Sequence, residues 1–121
     1  MSTNYYVTFR KNGKDNEIHI GKRSFGMKFL FAENQQAKLL NSWKRWQNFL
    51  RNGNKTIKDE YGATIPFETF VKTVEARQRE GMTYQDQDRY HPDPSYYRPP
   101  ANTMETFDAD GYRFSTSRDF S

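Results

Sequence analysis

Cysteine is absent from this 121-residue chain. That excludes disulfides, thiolate nucleophiles, iron–sulfur clusters and every zinc site built on a thiolate. Aliphatic side chains are scarce as well: Leu, Ile, Val and Phe together occupy 21 positions, a share at which disorder becomes the default for a strongly charged chain. No apolar run approaches the roughly 20 residues that span a bilayer. The opening Met1-Ser2-Thr3-Asn4-Tyr5-Tyr6 lacks the basic-then-apolar order of a secretion signal. The expectation is a soluble, cytoplasmic protein without a membrane partner.

What is present argues against disorder. The chain holds 10 Phe, 8 Tyr and 2 Trp, and its formal net charge is only +4. Disordered segments are poor in rings, and each buried ring removes a large area from water. A folded domain in which aromatics replace aliphatics is the consequence. The charge is also uneven: residues 1–58 carry 12 Lys or Arg against Asp15, Glu17 and Glu33, while residues 59–121 carry a surplus of acids. Such asymmetry suits an anionic partner for the first half, or attraction between the halves.

Local patterns give the elements. Tyr5–Phe9 is aromatic and β-branched, Glu17–Ile20 alternates in period two, and Asn12-Gly13 between them is a turn signal. A third strand is expected over Gly26–Phe31, completing an antiparallel meander. Ser42 is a suitable N-cap for a helix whose stripe is Trp43, Trp46, Phe49 and Leu50, with Gly53 at its C-cap. Leu39 and Leu40 leave an earlier start near Asn34 open. Residues 56–59 and 63–65 form a small hairpin, and Pro66 opens a second helix over 66–79 with Phe67, Phe70, Val71 and Val74 on one stripe. Four tyrosines and four prolines between Tyr84 and Pro100 exclude regular helix there. Strands at 104–107 and 112–115 flank Asp108-Ala109-Asp110-Gly111 as a terminal hairpin. The fold class expected is α+β in one domain: a small antiparallel sheet on two helices (about 1–80), an extended Tyr/Pro segment (81–102) and a C-terminal hairpin (103–121).

Several motifs bear on function. In Gly21-Lys22-Arg23-Ser24-Phe25-Gly26 the flanking glycines allow backbone N–H groups to converge on an anion, with Lys22, Arg23 and the Ser24 hydroxyl completing a phosphate site. Arg23 breaks the Gly-Lys-Ser order of a Walker loop, and a plain solvated turn fits the same residues. Trp43 and Trp46 fall at core spacing, leaving Lys44 and Arg45 to join Lys28, Arg10, Lys11 and Lys14 in a basic surface. Tyr84, Tyr90, His91, Tyr96 and Tyr97 sit where no periodicity demands rings and are candidates for partner contact. His91-Pro92-Asp93 matches the tripeptide of J-domain cochaperones but follows an acidic segment with no apolar stripe, which excludes that reading. Asp108-Ala109-Asp110-Gly111 starts like a calcium loop but lacks the glycine and glutamate that an EF-hand requires. Asp59, Glu60, Asp86, Asp88 and Asp93 with His19 or His91 are the residues a metal-dependent nuclease would draw on, though their spacing does not require it. No catalytic residue, cofactor or metal ligand is assigned.

Three segments together resemble a group of small proteins encoded by tailed bacteriophages and prophages. They are Ile18–Gly26 followed by Phe29, Ser42-Trp43-Lys44-Arg45-Trp46 through Leu50, and Asp59-Glu60-Tyr61-Gly62 leading into Pro66–Arg77. The resemblance covers about residues 17–79; Arg23, Phe25 and Met27 depart from the group's usual Gly-Lys-Ser-Ser-Ala-Gly-Trp. It implies a phage product acting in an infected bacterial cytoplasm and carries over no catalytic residues. The expectation is a non-enzymatic accessory factor that counters host defence by binding an anionic small molecule, such as a nucleotide signal, or nucleic acid. The alternative partner is a host bacterial protein docked on Tyr84–Pro100, and self-association is left open.

Overall fold

The computed structural model describes residues 2–32, 40–83 and 105–115. In chain order the elements are β1 (Ser2–Lys11), β2 (Lys14–Ser24), β3 (Leu30–Phe31), α1 (Trp43–Arg51), β4 (Lys55–Asp59), β5 (Thr64–Ile65), α2 (Phe67–Glu80), β6 (Glu105–Phe107) and β7 (Arg113–Ser115). The strands form one seven-stranded sheet in the order β5-β4-β1-β2-β3-β7-β6. The α+β class is as expected. The first three strands do form an antiparallel meander, but the third spans only Leu30–Phe31 and not residues 26–31, because residues 25–26 form a turn. The sheet as a whole is mixed, however, because β7 runs parallel to β3. The terminal hairpin therefore extends the sheet rather than sitting apart from it.

Both helices follow from their local sequence. Ser42 is extended and its hydroxyl accepts from the Arg45 N–H at 3.1 Å, so it caps α1 as anticipated. Leu40 and Asn41 lie outside the helix. The C-cap is Asn52 and the left-handed residue beyond it is Asn54, not Gly53. Asn tolerates that backbone through local hydrogen bonding, so the expected glycine cap is corrected. Pro66 precedes α2 directly, where a missing N–H costs no helical bond.

The core explains the shortage of aliphatics. Phe70 of α2 meets Tyr5 at 5.4 Å and Phe29 at 5.6 Å between ring centroids. Phe31 meets Trp43 at 5.4 Å and Phe114 at 4.8 Å. These separations lie in the range in which stacked, tilted and edge-on ring pairs attract. Val7, Ile20, Ile57, Val74 and Leu50 fill the gaps, all buried. Full burial of each large side chain contributes up to about 3 kcal/mol, so rings supply the apolar area that a larger aliphatic set would otherwise provide.

Two glycines are required for space. Gly21 is a strand residue paired with Tyr5 and Phe31, and a Cβ on it would stand 2.3 Å from the Leu30 carbonyl oxygen. Gly81 leaves α2 beside Met27 and Lys28, where a Cβ would fall 2.2 Å from backbone atoms of both. Beyond it the Met82 N–H donates to the Gly26 carbonyl at 3.0 Å and the Lys28 N–H donates to the Met82 carbonyl at 2.9 Å. The segment 26–28 is thereby fastened to the C-terminal end of α2.

Candidate functional site

The basic segment does not fold as the convergent loop expected from its glycines. β2 runs through Ser24, so the peptide groups of residues 21–24 belong to the sheet. Strand alternation then separates neighbours. Arg23 pairs with Thr3 on the helix-bearing face, whereas Lys22 pairs with Asn4 and Leu30 on the other. Lys22 stands near Arg113, and burial first, then that guanidinium, pushes its ammonium below its usual range. Lys28 donates its ammonium to the Gln78 carbonyl in the last turn of α2. Lys44 and Arg45 are exposed on α1 and line no part of the recess described next. Of the proposed anion cluster, Arg23 and Ser24 come together and the other four do not join them. Tyr84, Tyr90, His91, Tyr96 and Tyr97 lie outside the described residues.

The structure assembles a different set around Arg23. A groove of about 640 Å³ is lined by Ser2 and Thr3 of β1, Arg23 and Ser24 of β2, Phe25, Tyr61, and Thr69, Lys72, Thr73, Ala76 and Arg77 of α2. Residues 69, 72, 73, 76 and 77 recur at i, i+3, i+4, i+7 and i+8, which is a second stripe on α2 beside its core stripe. Thr73 bonds back to the Thr69 carbonyl at 3.0 Å. Arg77 pairs with Glu80 at 2.5 Å. Among the described residues Arg23 and Lys72 make no ion pair, and no carboxylate lines the groove. Its volume falls in the usual range for ligand pockets.

Its described lining combines three cations with hydroxyl groups and includes no carboxylate, although Glu80 pairs with Arg77 at its edge. No His, Asp, Glu or Cys is among its described lining residues. A second recess, of about 460 Å³ at the far end of the β1–β2 hairpin, includes Asp15 and Glu17 with Arg10 and Lys58. Arg10 there is tied to Asp15 at 3.4 Å and to the Gly13 carbonyl at 3.1 Å, which makes that recess the poorer host for an anion.

Sequence reasoning missed Tyr61, Thr69, Lys72, Thr73 and Arg77. One signal was available: the α2 stripe Thr-Lys-Thr-Ala-Arg is free of acid until Glu80, which continues it and pairs with Arg77, while Glu68 and Glu75 fall off it. Among the described residues no cluster of three His, Asp or Glu is placed to hold a metal ion. Asp59 instead folds its own turn, its carboxylate accepting from the Tyr61 and Ala63 N–H groups at 2.9 Å each. Asp108 likewise closes a hydrogen-bonded turn, accepting from the Asp110 and Tyr112 N–H groups.

His19 sits on the face opposite the groove. Its ring stacks on Tyr6 at 4.8 Å, and Nε2 lies 2.9 Å from the Asn4 side-chain oxygen. Burial, reinforced by the Lys22 charge and opposed by a backbone hydrogen bond at Gly21, holds its pKa below the usual 6.5. The unfolded chain therefore takes up this proton first as pH falls, so stability present above about pH 6.5 is lost as pH drops toward the folded value. Urea melts from pH 7.5 to 5 are expected to show a falling midpoint that His19→Gln flattens; parallel curves for the two proteins would refute this.

No protein-family model, curated protein or solved structure matches the chain. No helix among the described residues is long and apolar enough to cross a membrane.

Proposed function

We propose that the chain is a non-enzymatic binding protein for an anionic ligand, a nucleotide signal or nucleic acid, held in the groove between the β1–β2 strand ends and α2. The observation that carries this reading is the meeting of Arg23 and Lys72, neither ion-paired among the described residues, with hydroxyls from three elements in one recess that no described carboxylate lines. Arg23 offers a planar fork for phosphate oxygens and Lys72 a compact charge. Ser2, Thr3, Ser24 and Thr69 supply neutral donors around them. The resemblance of residues 17–79 to small tailed-phage proteins supports an accessory role against host defence in an infected bacterial cytoplasm.

Calorimetric titration with pyrophosphate, ADP-ribose, cyclic dinucleotides and single-stranded DNA tests the reading. Micromolar binding at low salt, weakening steeply as salt rises, is expected for at least one of them. The double change Arg23→Glu with Lys72→Glu is expected to reduce affinity by about a hundred-fold, each charge-assisted bond being worth roughly 1.5–3 kcal/mol. Absence of binding by all four classes at low salt overturns it.

A further inference from the structure

We infer that the groove is built for a dinucleotide unit, two nucleobases joined through phosphate; this rests on its reading as an anion site. Among the described residues the two most exposed large apolar side chains are Phe25, 93% exposed, and Tyr61, 74% exposed, and both line this groove. Scattered exposed rings are ordinary. These two are not scattered, and each is carried by a turn that hydrogen bonds hold firmly.

Phe25 is the second residue of a β-turn closed by the Met27 N–H donating to the Ser24 carbonyl at 3.1 Å. Gly26 follows with φ +75°, the left-handed third position that a type II turn requires. The turn is then fastened to Met82 by the two backbone bonds described above. Tyr61 stands in a turn where Asp59 accepts from residues 61 and 63, and where the Gly62 N–H donates to the Asp59 carbonyl at 3.1 Å. With the backbone of both turns fixed in this way, binding costs little loop ordering.

The rings approach from opposite ends. The turn carrying Tyr61 leads through β5 into the start of α2, whereas the turn carrying Phe25 is bonded just past its end. Between them the stripe from Thr69 to Arg77 spans about 12 Å at 1.5 Å per residue. A stacked strand advances about 3.4 Å per nucleotide, so two nucleotides fit along the stripe even when splayed to well beyond that rise. Lys72 near its middle and Arg23, two residues before Phe25, supply charge for the phosphate. Cations flanked by aromatic platforms are the combination that binds unpaired nucleotides. A sugar phosphate would leave both rings in water, and a mononucleotide would cover one.

The test is calorimetry on the full chain at low salt with 5′-phosphorylated diadenylate, AMP, ribose 5-phosphate and pyrophosphate. Diadenylate is expected to bind about ten-fold or more tighter than AMP, in line with the strength of base–aromatic stacking. Phe25→Ala and Tyr61→Ala are each expected to reduce diadenylate affinity about ten-fold while leaving ribose 5-phosphate unchanged. Phe25→Trp and Tyr61→Phe should retain it, and unchanged melting temperatures certify the fold. Comparing deca-adenylate with cyclic diadenylate then separates a strand from a small signal as the source, the tighter one naming it. If diadenylate binds no better than ribose 5-phosphate, or the ring variants change nothing while Arg23→Glu with Lys72→Glu still abolishes binding, the dinucleotide assignment falls and the anion site stands. If no probe binds, pyrophosphate included, the anion site itself falls.

Discussion

Gly81→Ala is expected to lower the melting temperature by roughly 12 °C, the equivalent of about 3 kcal/mol for a domain of this size. Gly81 is extended, with φ −94° and ψ 175°, so alanine meets no conformational barrier there. The obstacle is space. The added methyl would stand 2.2 Å from the Met27 carbonyl carbon and 2.2 Å from the Lys28 nitrogen. Those are backbone atoms, with no rotamer to absorb the overlap. Relief requires the 26–28 segment to part from α2, which sacrifices the two backbone bonds to Met82 and the Lys28 bond to Gln78. It also loosens the burial of Met27. Against a total stability of 5–15 kcal/mol this is a large share. Because the same bridge fixes the turn that presents Phe25, the variant should also weaken diadenylate binding at temperatures where it remains folded, although Gly81 lines no part of the groove. A differential scanning measurement placing the variant within about 2 °C of the parent would show that the approach is looser than this.

The helices and hairpins were legible because their signals are local. Trp43, Trp46 and Leu50 define a face whatever surrounds them, and Asp59 or Asp108 can fold a turn unaided. Two features had no local signal. The parallel pairing of β3 with β7 joins residues more than 80 positions apart, and nothing in Leu30-Phe31 or Arg113–Ser115 names the other. The groove depends on a long-range pairing: β2 must run on as a strand, which parts Arg23 from Lys22, and pair Arg23 with Thr3 beside α2. Gly21 misled for a physical reason. Glycine in a basic stretch suggests a turn, yet here it serves close approach to β3, so the strand runs on and alternation divides the charges. The half of the site on α2 lay in a polar helical stripe, which from sequence alone looks the same as any solvated face.

Asp108→Ala is the other change expected to cost about 3 kcal/mol, by removing three hydrogen bonds at once, one of them at a helix terminus. The first three residues of α1 are Trp43, Lys44 and Arg45, and its first turn holds no acid, so two cations stand at the positive end of the helix dipole. The missing carboxylate comes from 65 residues away: one Asp108 oxygen accepts from the Trp43 N–H at 2.8 Å. The other accepts from the Asp110 N–H at 3.0 Å and the Tyr112 N–H at 2.9 Å, closing the β6–β7 turn. A single side chain thus caps a helix and folds a hairpin, and it brings Tyr112 against Trp43 with ring centroids 5.9 Å apart. The hairpin has further anchors in Gln78, which donates to the Gly111 carbonyl at 3.0 Å, and Arg113, which donates to the Lys28 carbonyl at 2.9 Å. Asp108→Ala should therefore loosen the turn without releasing β7. Asp108→Asn, with its amide oxygen toward the turn, keeps both turn bonds but loses the Trp43 bond and the charge at the helix, so a cost nearer 1 kcal/mol is expected. Urea denaturation gives the ranking, and hydrogen exchange at the Trp43 amide localises it: the exchange should quicken in both variants, more in alanine. Equal midpoints for parent and Asp108→Ala, with Trp43 protection unchanged, would mean that α1 is capped by Ser42 alone.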